Sequence, residues 1–431
     1  MSTAAQTTGI REELKERIEL NYRRLCEPYY QIPEIFSAPD YGWQGDREGR
    51  ALMAFAAHYR MTGRKNPCMD ALIEALPGHT NRLGYFGTEE IDPIDEQQLS
   101  GHNWYLNGLL DHAELSGDPR AMEYARAVVE NLYLRTAGRY GTYPVVRPDL
   151  GLGDVSGSVT MNADGWLLSS DVGCAFMSVD GLARYYVLTK DARVLELLRE
   201  MHGVFCRIDK LKIQAQTHCT LTAARGFLLL YKTTGDDAFL QTVLSVLALY
   251  ERSGMTYTYQ NYNWWGKGDT WTEPCAIVDS LILCGDLYRL TGNERYRKTA
   301  ARIWHNGFSS AQNHDGGAGS MTTVGPTNSV LSLRSYENPF CCTMRLACGL
   351  EYAQKNADLL QAENGPLIKA PNGVYMAGDL VYAEVTVGAE YEPFVDRSRE
   401  ICADGRRLIP LVKTYRIPKE GMKDFRERIV F

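Results

Sequence analysis

Two cysteine-bearing motifs far apart in the chain carry its most evident chemistry. One is Trp271-Thr272-Glu273-Pro274-Cys275, and the other is Asn338-Pro339-Phe340-Cys341-Cys342. Glu273, Cys275, Cys341 and Cys342 supply one carboxylate and three thiols, a full tetrahedral ligand set for zinc. Both motifs run directly into helical sequence, Cys275–Leu281 and Thr343–Leu350. Pro274 suits the first turn of a helix, where its missing N–H costs nothing. The four ligands would then sit at the positive ends of two helix dipoles, which favours carboxylate and thiolate. A vicinal disulfide, or unlinked buried thiols, is the competing reading of the same residues.

Other polar and aromatic residues could bind a substrate. His102 and His218 both stand at predicted helix starts, where they could meet substrate hydroxyls or serve as structural residues. No H-x-x-x-H or H-E-x-x-H spacing occurs, so a histidine zinc site is not expected. The stretch Tyr257–Trp265 is dense in aromatics. Its rings could stack on the C–H faces of sugars while Asn and Gln bond hydroxyls, or it could be a packed loop or interface. Trp43 and Asp46 lie in a segment of similar character, and Tyr336 lies just before the second cysteine motif. Gly316-Gly317-Ala318-Gly319 lacks the lysine of a phosphate-binding loop and reads as a flexible turn.

Helices must position these residues. Turns of Thr-Gly-Asp type recur at Met61–Gly63, Leu115–Asp118, Leu188–Asp191, Thr233–Asp236 and Leu290–Asn293. The Gly closes one helix in the left-handed conformation, and the Asp or Asn caps the next. The spacing is too uneven for a regular solenoid and predicts a mainly α fold, an (α/α)6-type barrel or toroid. Long connections at about 135–175, 252–272 and 306–340, rich in Gly, Asn and aromatics, would carry the site. Residues 41–46, 102–105, 218, 257–265 and 336–342 are expected at one open end. Residues 1–364 would form the barrel. Residues 365–431, with β-rich runs at 373–376, 380–387 and 408–412, would form a small antiparallel appendage.

Composition narrows the class. The chain has 431 residues, 45% hydrophobic and 23% charged, with a net charge of −7. That is a globular profile without the basic footprint of a nucleic-acid binder. No apolar run is long enough to span a membrane. The start, Met1–Gln6, lacks a basic region followed by an apolar stretch, so no secretory signal and a cytoplasmic setting are expected. Eleven cysteines, an odd number, suit a reducing compartment that keeps thiols free for metal. The expected partner is a small carbohydrate, with neither nucleic acid nor membrane; a homo-oligomer is left open.

At the Glu-x-Cys and Cys-Cys motifs, joined to the Thr-Gly-Asp hairpins and the run Arg289–Tyr296 leading to Trp304-His305-Asn306-Gly307, the chain resembles glycoside hydrolase family 127 over roughly residues 40–360. The type activity of that family is β-L-arabinofuranosidase. The resemblance implies Zn2+ held by Glu273, Cys275, Cys341 and Cys342, with Cys341 as nucleophile. It implies a thioglycosyl intermediate hydrolysed with net retention. The family's acid/base is a Glu upstream of the zinc-binding Glu. Here that neighbourhood holds Tyr257, Tyr259 and Gln260, with no carboxylate between Glu251 and Asp269. Tyr257, Tyr259, a histidine or Asp269 would have to donate the proton, or the chain is an altered carbohydrate-binding protein, or a lyase or epimerase. The resemblance implies larger C-terminal β domains, of which only a much reduced part is expected in residues 365–431.

Overall fold

The computed structural model describes residues 3–37, 42–146, 157, 159–268, 270–322, 330–337, 340–384, 400–403, 405–410 and 426–430. The chain divides into two compact units. One comprises residues 25–251 and 264–266, and the other comprises residues 1–24, 252–263 and 267–431.

The first unit is built of helical hairpins. Its main helices are Asp46–Thr62, Glu96–Ser116, Pro119–Val128, Ser178–Thr189, Ala192–Arg207, Thr217–Thr234 and Asp237–Leu249. The turns between them follow the expected logic. Gly63, Gly117 and Gly235 end their helices at φ +71°, +67° and +72°, and Lys190 does so at φ +55°. Asp118, Asp191 and Asp236 then accept from the backbone N–H two residues on, at 2.9, 2.9 and 3.1 Å.

The hydroxyl before each of these turns adds a second bond. Thr62, Ser116, Thr189 and Thr234 each donate to the carbonyl four residues back, at 2.7–2.9 Å. Each also accepts from the N–H two residues ahead, at 3.0–3.4 Å. One side chain therefore covers an orphan carbonyl of the ending helix and fixes the chain entering the next. Helices Asp46–Thr62 and Glu96–Ser116 cross with backbone contact. A Cβ at Gly49 would lie 2.1 Å from the Trp104–Tyr105 peptide, so only glycine fits there.

In the second unit, helix Pro274–Thr291 packs against helix Cys341–Lys355 and helix Glu294–Arg302, and Asn21 of helix Thr3–Leu25 donates to Thr343 O at 3.1 Å. The turn at Thr291-Gly292-Asn293 repeats the pattern: Thr291 donates to Leu287 O at 2.7 Å, and Asn293 caps Arg295 N at 3.0 Å. Helix Glu294–Arg302 continues into a π-turn, Ile303–Phe308. The expected β-rich tail appears as Leu367–Lys369, Val374–Ala377, Leu380–Ala383, Ile401–Ala403 and Arg406–Pro410, one five-stranded antiparallel sheet. Tyr375, Tyr382 and Leu408 form its small core. Arg426–Val430 lies apart from this sheet and pairs antiparallel with Val330–Glu337, beside Gly319–Thr322.

Candidate metal centre and active site

Four side chains converge at the start of the two packed helices. Cys275 and Cys342 are fully buried, whereas Glu273 and Cys341 are half-buried. One ligand atom from each lies within 4.8 Å of all the others. Cys342 Sγ lies 2.9 Å from Glu273 Oε1, 3.4 Å from Cys341 Sγ and 3.7 Å from Cys275 Sγ. Cys341 Sγ lies 4.0 Å from Glu273 Oε1. None of the three cysteines is in a disulfide, so the vicinal-disulfide reading gives way to a cluster of reduced thiols and a carboxylate.

Local sequence explains the convergence. Glu273 is the N-cap of helix Pro274–Thr291, yet its side chain makes no capping bond. Pro274 removes one of the N–H groups that a cap would satisfy. The carboxylate turns instead to Cys342. Cys341 and Cys342 open the next helix, entered through Phe340 at φ +58°, ψ −77°. Few non-glycine residues adopt that conformation, and holding it stores strain beside Cys341.

The two helices run parallel and in register. Asp279 stands opposite Arg345 and Asp286 opposite Tyr352, each pair 66 residues apart, and Cys275 Sγ lies 3.7 Å from Cys342 Sγ at the helix starts. Arg345 Nη2 and Asp279 Oδ1 are 2.7 Å apart, both essentially without solvent. Tyr352 Oη donates to Asp286 Oδ1 at 3.0 Å. Parallel packing aims both positive helix ends at the cluster.

The donor set suits a dication. Burial, then the Cys275 and Cys341 thiols, raise the pKa of Cys342 well above that of an ordinary thiol. Two or more negative charges crowded here would repel unless a cation lay between them. Ligand atoms about 2.3 Å from a tetrahedral zinc stand about 3.8 Å apart. Three of the separations above, 3.4, 3.7 and 4.0 Å, have that scale.

The remaining sequence-predicted residues are distributed over both units. In the unit that holds the cluster, Tyr257 and Tyr259 are half-buried and Tyr262 is buried. Tyr259 has φ +58° and accepts from Arg302 Nη1 at 3.3 Å; Arg302 is also paired with buried Asp379. Segment 261–263 lies along 270–272. Asn263 N–H donates to Trp271 O and Thr270 Oγ1, and Thr272 Oγ1 donates to Asn261 O. Tyr336 belongs to strand Val330–Glu337, and its side chain is outside the described residues, as is Asp269.

In the other unit, Asp46 is buried and accepts from Arg50 Nε at 2.7 Å. The Arg50 guanidinium lies 3.9 Å from the Trp104 ring centroid, and Trp104 stacks on His218 at 5.4 Å. His218 is buried with Nδ1 3.3 Å from Thr222 Oγ1. His102 is fully buried with both ring nitrogens engaged, by Phe86 N–H at 3.0 Å and Gln98 O at 2.7 Å, and burial lowers its pKa to about 4. Trp264 and Trp265 are also fully buried; their indole N–H groups donate to Ser170 O and Thr220 Oγ1, both at 3.0 Å. Trp43 is half-buried. Arg345 and Asp279 had no flag in the sequence, because neither stands in a motif.

No protein-family model matches this chain, and no curated protein is matched by sequence. Solved structures do match it in fold. A GH127 β-arabinofuranosidase superposes with a TM-score of 0.54 at 12% identity, covering 89% of this chain and 65% of its own. An unsaturated glucuronyl hydrolase specific for heparin gives 0.54 at 12%, covering 82% and 99%. Cellobiose 2-epimerase from Bacillus thermoamylovorans gives 0.52 at 13%, covering 82% and 100%. The chain is a mainly α protein with the α/α toroid fold of these enzymes and small sheets near its C-terminus. It spans 65% of the length of the arabinofuranosidase. Among the described residues, no helix is long and apolar enough to cross a membrane.

Proposed function

We propose that this chain is a retaining glycoside hydrolase that acts on a small glycoside, β-L-arabinofuranosidase-like, with Cys341 as nucleophile. The observation that carries the reading is the cluster of Glu273, Cys275, Cys341 and Cys342 within 4.8 Å, half-open at Cys341. The likeness in fold to carbohydrate-active enzymes supports it. Glu273, Cys275, Cys341 and Cys342 would hold zinc, which when bound supplies positive charge that keeps a thiol ionised at neutral pH.

Cys341 Sγ attacks the anomeric carbon as the bond from that carbon to the leaving oxygen breaks. The leaving oxygen takes a proton from an acid, for which Tyr257 and Tyr259 are our candidates. Water then attacks the same carbon, loses its proton and frees the Cys341 thiolate, so two inversions give net retention. Trp43, Asp46, His102, His218, Tyr262, Trp264, Trp265 and Tyr336 are proposed for substrate contact. The full ring-nitrogen use by His102 and the spent indoles of Trp264 and Trp265 leave ring faces and packing as their contribution. We further propose a cytoplasmic setting and a role in carbohydrate metabolism.

The test combines metal analysis with a screen of aryl pentofuranosides. Purified protein should carry one zinc per chain, hydrolyse at least one such glycoside and release product of retained configuration. Cys341→Ser should fold, keep most of its metal and lose turnover. Full activity in that variant would remove Cys341 from the role. A second reading, a toroid epimerase or lyase, is favoured by the absence of a carboxylate between Glu251 and Asp269 and by the fold likeness to cellobiose 2-epimerase. Reducing sugars that isomerise without hydrolysis would decide for it.

A further inference from the structure

Asn263 is fully buried, and neither Oδ1 nor Nδ2 of its carboxamide has a hydrogen-bond partner. Asn261, 1% exposed, has an unpartnered Oδ1 as well, although its Nδ2 donates to Tyr262 O at 3.1 Å. Buried polar groups in native proteins are almost always paired, because removing an amide from water without replacing its bonds is costly. An amide with both heteroatoms orphaned is therefore a group whose partner is missing from the protein itself.

The backbone cannot relieve the deficit. Asn263 N–H is shared between Trp271 O at 3.1 Å and Thr270 Oγ1 at 3.0 Å. Tyr262 N–H donates to Gly254 O at 2.9 Å, and Thr272 Oγ1 donates to Asn261 O at 3.2 Å. These bonds pin residues 261–263 against 270–272, which lead straight into Glu273. Swinging the amide out to water would break them.

The chemistry of the vacant partners is specific. An apolar ligand would leave both atoms unpaired. A cation would satisfy Oδ1 and repel the NH2 group, and an anion would do the reverse. A hydroxyl both donates and accepts, so two neighbouring hydroxyls satisfy Oδ1 and Nδ2 together. We infer that Asn263, with the Asn261 Oδ1 as a further acceptor on the same pinned segment, reads adjacent hydroxyls of a sugar ring brought to the thiol cluster. This rests on the glycosidase reading for what happens to that sugar, but recognition itself needs no turnover.

The experiment measures binding, not catalysis. Wild type, Asn263→Leu and Asn263→Ala would be titrated calorimetrically with L-arabinose, D-xylose, D-galactose and D-glucose, and with the 2-deoxy and 3-deoxy forms of whichever binds. Asn263→Leu matches the volume and removes the orphan amide, so it should fold and melt no lower than wild type. If it fails to fold, Asn263→Ala serves. The expected result is Kd at least tenfold weaker in the variant, and loss of discrimination between the sugar and one deoxy analogue. Zinc content should be unchanged. Wild-type affinity in the variant would mean that the amide holds a buried water only, and the inference falls. Absence of binding of every sugar by wild type also overturns it. Sugar binding that needs Asn263, in a protein that cleaves no glycoside, would refute the hydrolase reading and leave this inference standing.

Discussion

The buried pair between Asp279 and Arg345 offers the sharpest test of how the cluster is held. Arg345→Met keeps the length and most of the volume of the side chain but removes the cation. At 2.7 Å and an effective dielectric of about 20, the lost attraction is about 6 kcal/mol. Much of that only offsets the desolvation of the two ions, so the net worth of the pair is smaller. Breaking it from one side nevertheless leaves the Asp279 carboxylate at 0% exposure without the guanidinium charge beside it. The expected loss of stability is about 3–5 kcal/mol for Arg345→Met, and similar for Asp279→Leu. The double variant strands no charge and should lose much less than the sum, a coupling of at least about 2 kcal/mol. Urea denaturation of the four proteins measures this. The pair lies one helical turn beyond Cys275 and Cys341, so each single variant should also lose zinc faster to a chelator, and the double variant should recover. Additive effects within about 0.5 kcal/mol would refute the claim that these residues act as a buried pair. Coupled stability with unchanged metal release would refute their role in setting the helices that carry the ligands.

Three further outcomes follow from the same structure. Burial raises the pKa of Glu48 from 4.5 to about 8, so its contribution to stability is present below 4.5 and is lost as pH rises through about 8; Glu48→Gln should flatten the fall in urea midpoint between pH 5 and 8.5, and an unchanged slope would remove the assignment. The thiol of Cys206 has its pKa lowered by its bond to His202, 3.4 Å away, so this exposed cysteine should alkylate faster at pH 7 than the same cysteine in a His202→Asn variant, as followed by peptide mass spectrometry. Gly292 ends its helix at φ +68°, so Gly292→Ala should cost about 1 kcal/mol, and Asn293→Ala a similar amount through the lost cap, both read by thermal denaturation.

What the sequence by itself determined was local. Each hairpin turn could be read because a left-handed glycine and a capping Asp or Asn act within a few residues of one another. Lys190 shows the limit, since it takes the glycine's conformation without being one, and only its place in the repeat marks it. The four cluster residues were legible for a similar reason: thiols and a carboxylate at helix starts are chemically distinctive wherever they stand. Tertiary structure decided what spans long separations. Helices that pack parallel and in register bring Asp279 to Arg345 across 66 residues, and neither residue type signals a buried ion pair on its own. The aromatic stretch shows the same division. Composition marked Tyr257–Trp265 as a polar, ring-rich loop, but burial separated it: the indole N–H groups of Trp264 and Trp265 are consumed inside the fold, whereas the Asn263 amide is buried with nothing to bond. Whether a polar atom is satisfied depends on every neighbour the fold assembles around it, and no spacing along the chain encodes that.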